Sequence, residues 1–207
     1  MSLAQNRSNQ AKALAFGLSF LLVASCAYAE DSLMEGGRSP NGRYEVRLVR
    51  VSDNEPSDYA IRIQDAGTGK SLFTLDSIGG YLRYPAAVER CRALWHSSSQ
   101  FVAVTDQGTR HSRELYVLAI DSDRVERLPF PDYVQNALGR VGATWPDFAC
   151  VSSPIRWDED DLVLQFHFTA NSRHSYTCEV VLHISHGEHS APSIGLKSVS
   201  KPTEQDG

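Results

Sequence analysis

The chain is short of nearly every residue pattern that announces a chemistry. Basic residues are outnumbered, 20 Lys and Arg against 25 Asp and Glu in 207 residues, and no basic run or basic-aromatic patch occurs. Nucleic acid and anionic lipid need a cationic face to hold them, so neither is an expected partner. The apolar stretch Ala13 to Ala24 falls short of the roughly 20 residues a membrane span requires. No Gly-x-Ser-x-Gly elbow is present to raise a nucleophilic serine. Gly67-Thr68-Gly69-Lys70-Ser71 looks like the end of a phosphate-binding loop, but Gln64 stands where its first glycine is needed, and the stretch joins two strands. Ser198-Val199-Ser200-Lys201 matches a Ser-x-x-Lys pattern in spacing alone, at the chain end and without partner motifs. No catalytic residue and no cofactor is expected. Only the stretch 131–138 carries helix signals, with Pro131 for a first turn and Gly139 for a cap.

What remains is informative about compartment. Arg7 and Lys12 form a basic lead, Ala13 to Ala24 an apolar segment of signal-peptide length, and Ala27-Tyr28-Ala29 a small-residue cleavage site. Residues 1–29 therefore read as a signal peptide, with cleavage before Glu30. A second exit signal overlaps it: Val23-Ala24-Ser25-Cys26 resembles a bacterial lipobox, in which Cys26 is lipidated and attaches the protein to a membrane. Both export the chain, to the periplasm or beyond. Loss of Arg7 and Lys12 leaves 18 basic against 25 acidic residues, a formal charge of −7. Simple cleavage also leaves three cysteines, enough for one internal bridge and one thiol over. Cys91 and Cys150 each shortly precede a tryptophan and are the preferred pair; buried, unpaired cysteines are the alternative.

Beyond the leader, the apolar residues alternate with a period of two. Tyr44, Val46 and Leu48 form one such strand, Tyr59, Ile61 and Ile63 another, and Leu72 to Leu75 a third. The segment Trp95 to Asp121 combines a tryptophan, a serine-rich turn, the strand Phe101 to Val104, a polar tip and the strand Leu115 to Ile120. Phe101 to Val104 is apolar on both faces, as in a sheet covered on both sides. A short strand follows at Val125 to Leu128. The arrangement recurs from Trp157 through Leu162 to Phe168 and Val180 to Ile184, and Arg-His-Ser recurs at residues 110–112 and 173–175. Tyr44 to Phe101 is 57 residues, Trp95 to Trp157 is 62 and His111 to His174 is 63. Such spacing marks stacked units that cannot bury their faces alone. The expected fold is all-β: about three antiparallel units of three to four strands within residues 39–200, one short helix near 131–138, a flexible lead-in at 30–38 and a disordered tail at 201–207.

Ser39-Pro40-Asn41-Gly42-Arg43-Tyr44 resembles the "SPDGRY" strand turn of TolB-type and dipeptidyl-peptidase-type β-propeller blades. Leu94 to Val104 resembles the "WSPDSRFLAV" version of the same turn, with His96 and Ser98 in place of the usual residues. The third copy, at Trp157, lacks the Pro and Gly. The resemblance implies blade-like hairpins and nothing about activity. Closed propellers use four or more blades, so a partial propeller, closure by oligomerisation and a two-sheet β-sandwich stay open.

The aromatic residues outside the strands point to function. Tyr81, Tyr84, Tyr133, Trp145 and Phe148 all fall on connections between units, and Arg83 lies among them. Both connections start and end at corresponding places, which gathers them on one rim, where aromatic and Arg side chains serve as binding anchors. Tyr81, Arg83, Tyr84, Tyr133 and Trp145 are the candidate binding residues, for a protein or cell-envelope component; plugging of gaps between units is the competing role. The other candidates are histidines. His183, His186 and His189, with Glu188, have spacing that a turn at Gly187 can gather for zinc. His111 or His174, with a serine and Asp106, can serve a small periplasmic hydrolase.

Overall fold

A backbone whose side chains alternate apolar and polar buries one side of an extended strand, and the computed structural model is built from such strands. It describes residues 31–50, 59–75, 91–106, 112–146, 150–171, 174–186 and 191–205. The chain divides into Met1–Glu30, which lies outside those residues, and the compact unit Asp31–Gly207. Within the latter, β1 (Asp31–Arg38), β2 (Tyr44–Arg50), β3 (Tyr59–Asp65) and β4 (Ser71–Leu75) pair in order as an antiparallel meander. A second meander is β5 (Arg92–Trp95), β6 (Phe101–Asp106), β7 (Ser112–Asp121) and β8 (Arg124–Arg127). The third is β9 (Cys150–Asp158), β10 (Asp161–Ala170), β11 (His174–Ser185) and β12 (Ser193–Val199).

Two short parallel seams join the meanders. Glu35 pairs with Arg92 between β1 and β5, and Ser112 and Arg113 pair with Cys150 and Val151 between β7 and β9. These seams run β1, β5 and β9 in the same direction. Four antiparallel strands start and finish at the same end, so both connections between units leave and return at one end of the molecule. The tight turns of β1–β2, β5–β6 and β9–β10 lie at the other.

Two cores separate the three units. Val46, Leu48, Ile61 and Ile63 of the first unit face Val102, Val104 and Leu118 of the second. On the other side of the second unit, Phe101, Ala103 and Val117 face Leu162, Leu164, Phe166, Val180 and Leu182 of the third. Each such side chain removed from water contributes about 1.5–3 kcal/mol. Every residue of β6 is buried because it serves both cores. A two-sheet sandwich has one core, so the layered, blade-like arrangement is the one adopted. The outward faces are polar: Glu45, Arg47 and Gln64 on the first unit, Gln165, His167, Glu179 and His183 on the third. Capping units of stacked repeats have this character.

The structure corrects several expectations. The lead-in at 30–38 is strand β1, whose two glycines hid it. Gly36 has φ of +68°, and a Cβ there would lie 2.2 Å from the Ala93 carbonyl oxygen across the seam. The glycines form a bulge that lets β1 approach β5. The tail is not free either: β13 (Thr203–Gln205) pairs with β11, and Pro202 before it is buried. The helix, α1 (Tyr133–Gly139), starts two residues later than Pro131 because Asp132 caps it, its Oδ1 accepting from Gln135 N–H at 3.0 Å. Gly139 ends α1 without a left-handed cap; that conformation falls on Gly142, with φ of +71°. No disulfide joins Cys91, Cys150 and Cys178. Cys91 belongs to the first core and Cys178 to the second, so burial is their role.

Candidate functional site

At the tight-turn end, equivalent residues make equivalent bonds. Ser39 N–H donates to Tyr44 O (3.0 Å) and Gly42 N–H to Ser39 O (2.9 Å). Fifty-seven residues on, His96 N–H donates to Phe101 O (2.9 Å) and Ser99 N–H to His96 O (2.9 Å). Gly42 and Ser99 share the left-handed conformation, with φ of 71° and 63°. Asn41 Oδ1 accepts from Arg43 N–H (3.0 Å), and Ser98 Oγ takes the same role for Gln100 N–H (3.2 Å). The unusual His96 and Ser98 thus preserve the turn. The third turn has only Glu159 and Asp160 between the paired Asp158 and Asp161. It is two residues shorter, which is why its sequence matches loosely and why Asp161 holds the position in its unit that Phe101 holds in the second.

Two of the three tryptophans work as latches between units. Trp95 Nε1–H donates to Gly37 O at 3.2 Å, and Trp157 Nε1–H donates to Leu94 O at 3.1 Å. Donor and acceptor sit at matching positions in both cases. Trp95 stacks on Tyr44 with ring centres 6.2 Å apart, and Trp157 meets His96 edge-on at 5.2 Å. His96 adds a third tie, its Nε2 bonded to Glu159 O at 2.8 Å. Ser98 N–H donates to its Nδ1, so Nε2 carries the proton. This end is built for cohesion.

The connection end differs. Trp145 is 75% exposed, on a segment folded back over α1. Val141 and Ala143 N–H both donate to Leu138 O at 3.0 Å, Gln135 Nε2 donates to Thr144 O at 3.3 Å, and Asn171 Nδ2 donates to Val141 O at 2.7 Å. The exposed ring therefore projects from a pinned loop. Tyr133, by contrast, leaves the candidate set. It is buried in the second core, edge-on to Phe166 at 5.5 Å, with its hydroxyl 2.7 Å from Ser152 Oγ. The first turn of α1 carries it inward. Tyr81, Arg83, Tyr84 and Phe148 lie outside the described residues; the ends of their connections, Leu75 with Arg92 and Arg127 with Cys150, share the end that carries Trp145.

The histidines are taken up by separate carboxylates. His183 Nδ1 is 2.8 Å from Asp161 Oδ1, while Lys197 Nζ holds Asp161 Oδ2 at 2.5 Å. The lysine, and then His183, keep the Asp161 carboxyl below its usual range. His186 Nε2 is 3.2 Å from Asp160 Oδ1 and lies edge-on to Phe101 at 5.2 Å. His189 and Glu188 lie outside the described residues, among which no three metal-ligating groups cluster. His174 pairs with Glu204, whereas Arg110, His111 and Arg173 are again outside. Asp106 is buried, 3.9 Å from Cys91 Sγ. Burial raises the Cys150 thiol and pushes Cys178 up to about 11, so both stay protonated at neutral pH.

A cleft of about 390 Å³ opens at the tight-turn end over Phe101 and Ile120, with His186, Asp121, Arg124 and Glu126 at its edge. Arg124 is spent on Glu126 at 3.8 Å, and the polar groups do not converge on one point. No signal in the sequence marked it, because its lining comes from four separate segments.

No family model matches the chain, and no curated protein does. One solved structure that it matches is TolB from Acinetobacter baumannii, at 11% identity and a TM-score of 0.32 over 80% of this chain. The match takes in 41% of that protein, so the chain spans about two fifths of its length.

Proposed function

We propose that the chain is an exported, non-catalytic module that binds a protein or other cell-envelope component through the end where its connections emerge. Trp145 carries this reading. A large aromatic side chain left in water on a pinned loop costs solvation without repaying it in packing, and such residues are typical anchors of recognition surfaces. Rigidity favours the same role, since a pre-ordered anchor loses little entropy on binding. Tyr81, Arg83 and Tyr84 belong to the other connection and extend the surface in this proposal. Export rests on the basic lead, the apolar segment and Ala27-Tyr28-Ala29. No helix among the described residues is long and apolar enough to cross a membrane.

The test is retention of envelope components on immobilised protein, wild type beside Trp145→Ala. A species held by the wild type and lost with the variant is expected. Equal retention by both would remove Trp145 from the surface, and retention by neither would end the binding reading. The intact mass of protein recovered from the envelope decides between a free Glu30 terminus and a lipid-bearing Cys26.

A further inference from the structure

We propose that Asn41 is a site of spontaneous covalent modification, where the chain converts its own carboxamide to a carboxylate. The Gly42 backbone nitrogen loses its proton to hydroxide and attacks Asn41 Cγ. A C–N bond forms, the bond from Cγ to Nδ2 breaks, and the amide nitrogen departs as ammonia. Water then opens the five-membered succinimide at either carbonyl, leaving aspartate or isoaspartate at position 41. The sequence supplies the first requirement. Beyond residue 30 asparagine stands at 41, 54, 136 and 171, and only Asn41 precedes a glycine. Having no Cβ, Gly42 leaves its nitrogen open to close approach, and nothing lies within 4 Å of where a Cβ would stand. Asn41 and Gly42 are both exposed, so hydroxide and water reach them.

The turn supplies the rest. Asn41 Oδ1 accepts from Arg43 N–H at 3.0 Å, and the ring closed by that bond contains both Cγ and the Gly42 nitrogen, the two atoms that join. Such tethering supplies the proximity that the attack needs. The same oxygen accepts from Ser39 Oγ–H at 2.8 Å. Two donors therefore stand where negative charge gathers as the nitrogen adds, an arrangement that stabilises a tetrahedral oxyanion. Gly42 N–H points to Ser39 O at 2.9 Å, but it does so within its peptide plane. Attack uses the lobe perpendicular to that plane, so this bond leaves the approach open. In Asn136 and Asn171 the nitrogen that would have to leave is held instead, donating to Asp132 O at 2.8 Å and Val141 O at 2.7 Å. The two products differ in consequence. Aspartate offers Ser39 and Arg43 the same Oδ1. Isoaspartate adds a carbon to the main chain before Gly42, which moves Gly42 N–H off Ser39 O and disturbs the tie from Asn41 N–H to Ser99 Oγ of the second unit, 3.1 Å long.

The experiment ages the purified protein in mildly alkaline buffer, once folded and once in concentrated urea. Released ammonia is assayed, and the tryptic peptide Ser39–Arg43 is followed by mass and retention time. The folded protein should release ammonia toward one equivalent per chain, faster as hydroxide rises, while that peptide splits into aspartyl and isoaspartyl forms. Its rate should be no lower than about a third of the rate in urea, because the turn holds the reacting atoms together. Gly42→Ala should slow the reaction at least about tenfold, and Asn41→Gln, which would have to close a larger ring, should abolish it. Modification confined to the unfolded chain would overturn the proposal, since the turn would then protect the site. Ammonia released from the folded protein with the Ser39–Arg43 peptide unchanged would overturn it equally, by placing the reaction elsewhere.

Discussion

Trp95 and Trp157 occupy equivalent ends of β5 and β9, and each reaches back to the unit before it. Truncation of either to Ala should cost about 2–4 kcal/mol, from lost packing plus one unmade hydrogen bond. Trp145→Ala should change stability by less than about 0.5 kcal/mol, since the ring stands in water. Urea unfolding of the three variants checks both values, and equal losses would erase the distinction. Glycines give a second contrast. Gly36→Ala meets the Ala93 oxygen at 2.2 Å and should weaken the protein by more than about 2 kcal/mol, while Gly42→Ala meets nothing within 4 Å and should cost only the roughly 1–2 kcal/mol of a left-handed φ. Glu45, almost fully buried, takes Arg38 Nη2 at 2.5 Å and Arg47 Nη1 at 3.0 Å. Arg38 above all holds its carboxyl below the usual range. A depressed folded value means stabilisation that is present above the unfolded carboxylate pKa of about 4.3 and lost as pH falls through the folded one. Glu45→Gln should therefore flatten the loss of stability below about pH 4, read as urea midpoints along a pH series.

Among the elements, α1 is the one whose position decides where Trp145 stands. Asp132→Ala removes its cap and should cost about 1 kcal/mol, seen as a lower urea midpoint. The strands of the three units were legible because Val46, Ile61, Phe166 and their neighbours alternate cleanly, and the turns because Gly42 and the serines at 97–99 punctuate them. What escaped was whatever depends on a distant partner. Gly36 and Gly37 look like loop until Ala93 lies across from them. Thr203–Gln205 is wholly exposed, and only the free edge of β11 makes it a strand. Tyr133 and Trp145 both lie on one connection in sequence; that one ring turns into the core and the other away from it follows from where α1 begins.

For the whole molecule, the decisive feature is that the first and last units present polar faces outward. The protein should run as a monomer in light scattering, because covering Arg47 on the first unit and Glu179 on the third with a second copy leaves charges to be desolvated. A stable dimer would show instead that these faces pair. The two cores share β6, so unfolding should be a single transition by both fluorescence and far-ultraviolet dichroism.

Four strands per unit has a consequence for descent. A chain that returns to its starting end after each repeat can gain another copy, some 57 to 63 residues, at either connection without reversing the direction of any neighbour. Duplication of such a gene segment would lengthen the row and leave the connections side by side, free to vary in sequence while the opposite end keeps the row coherent.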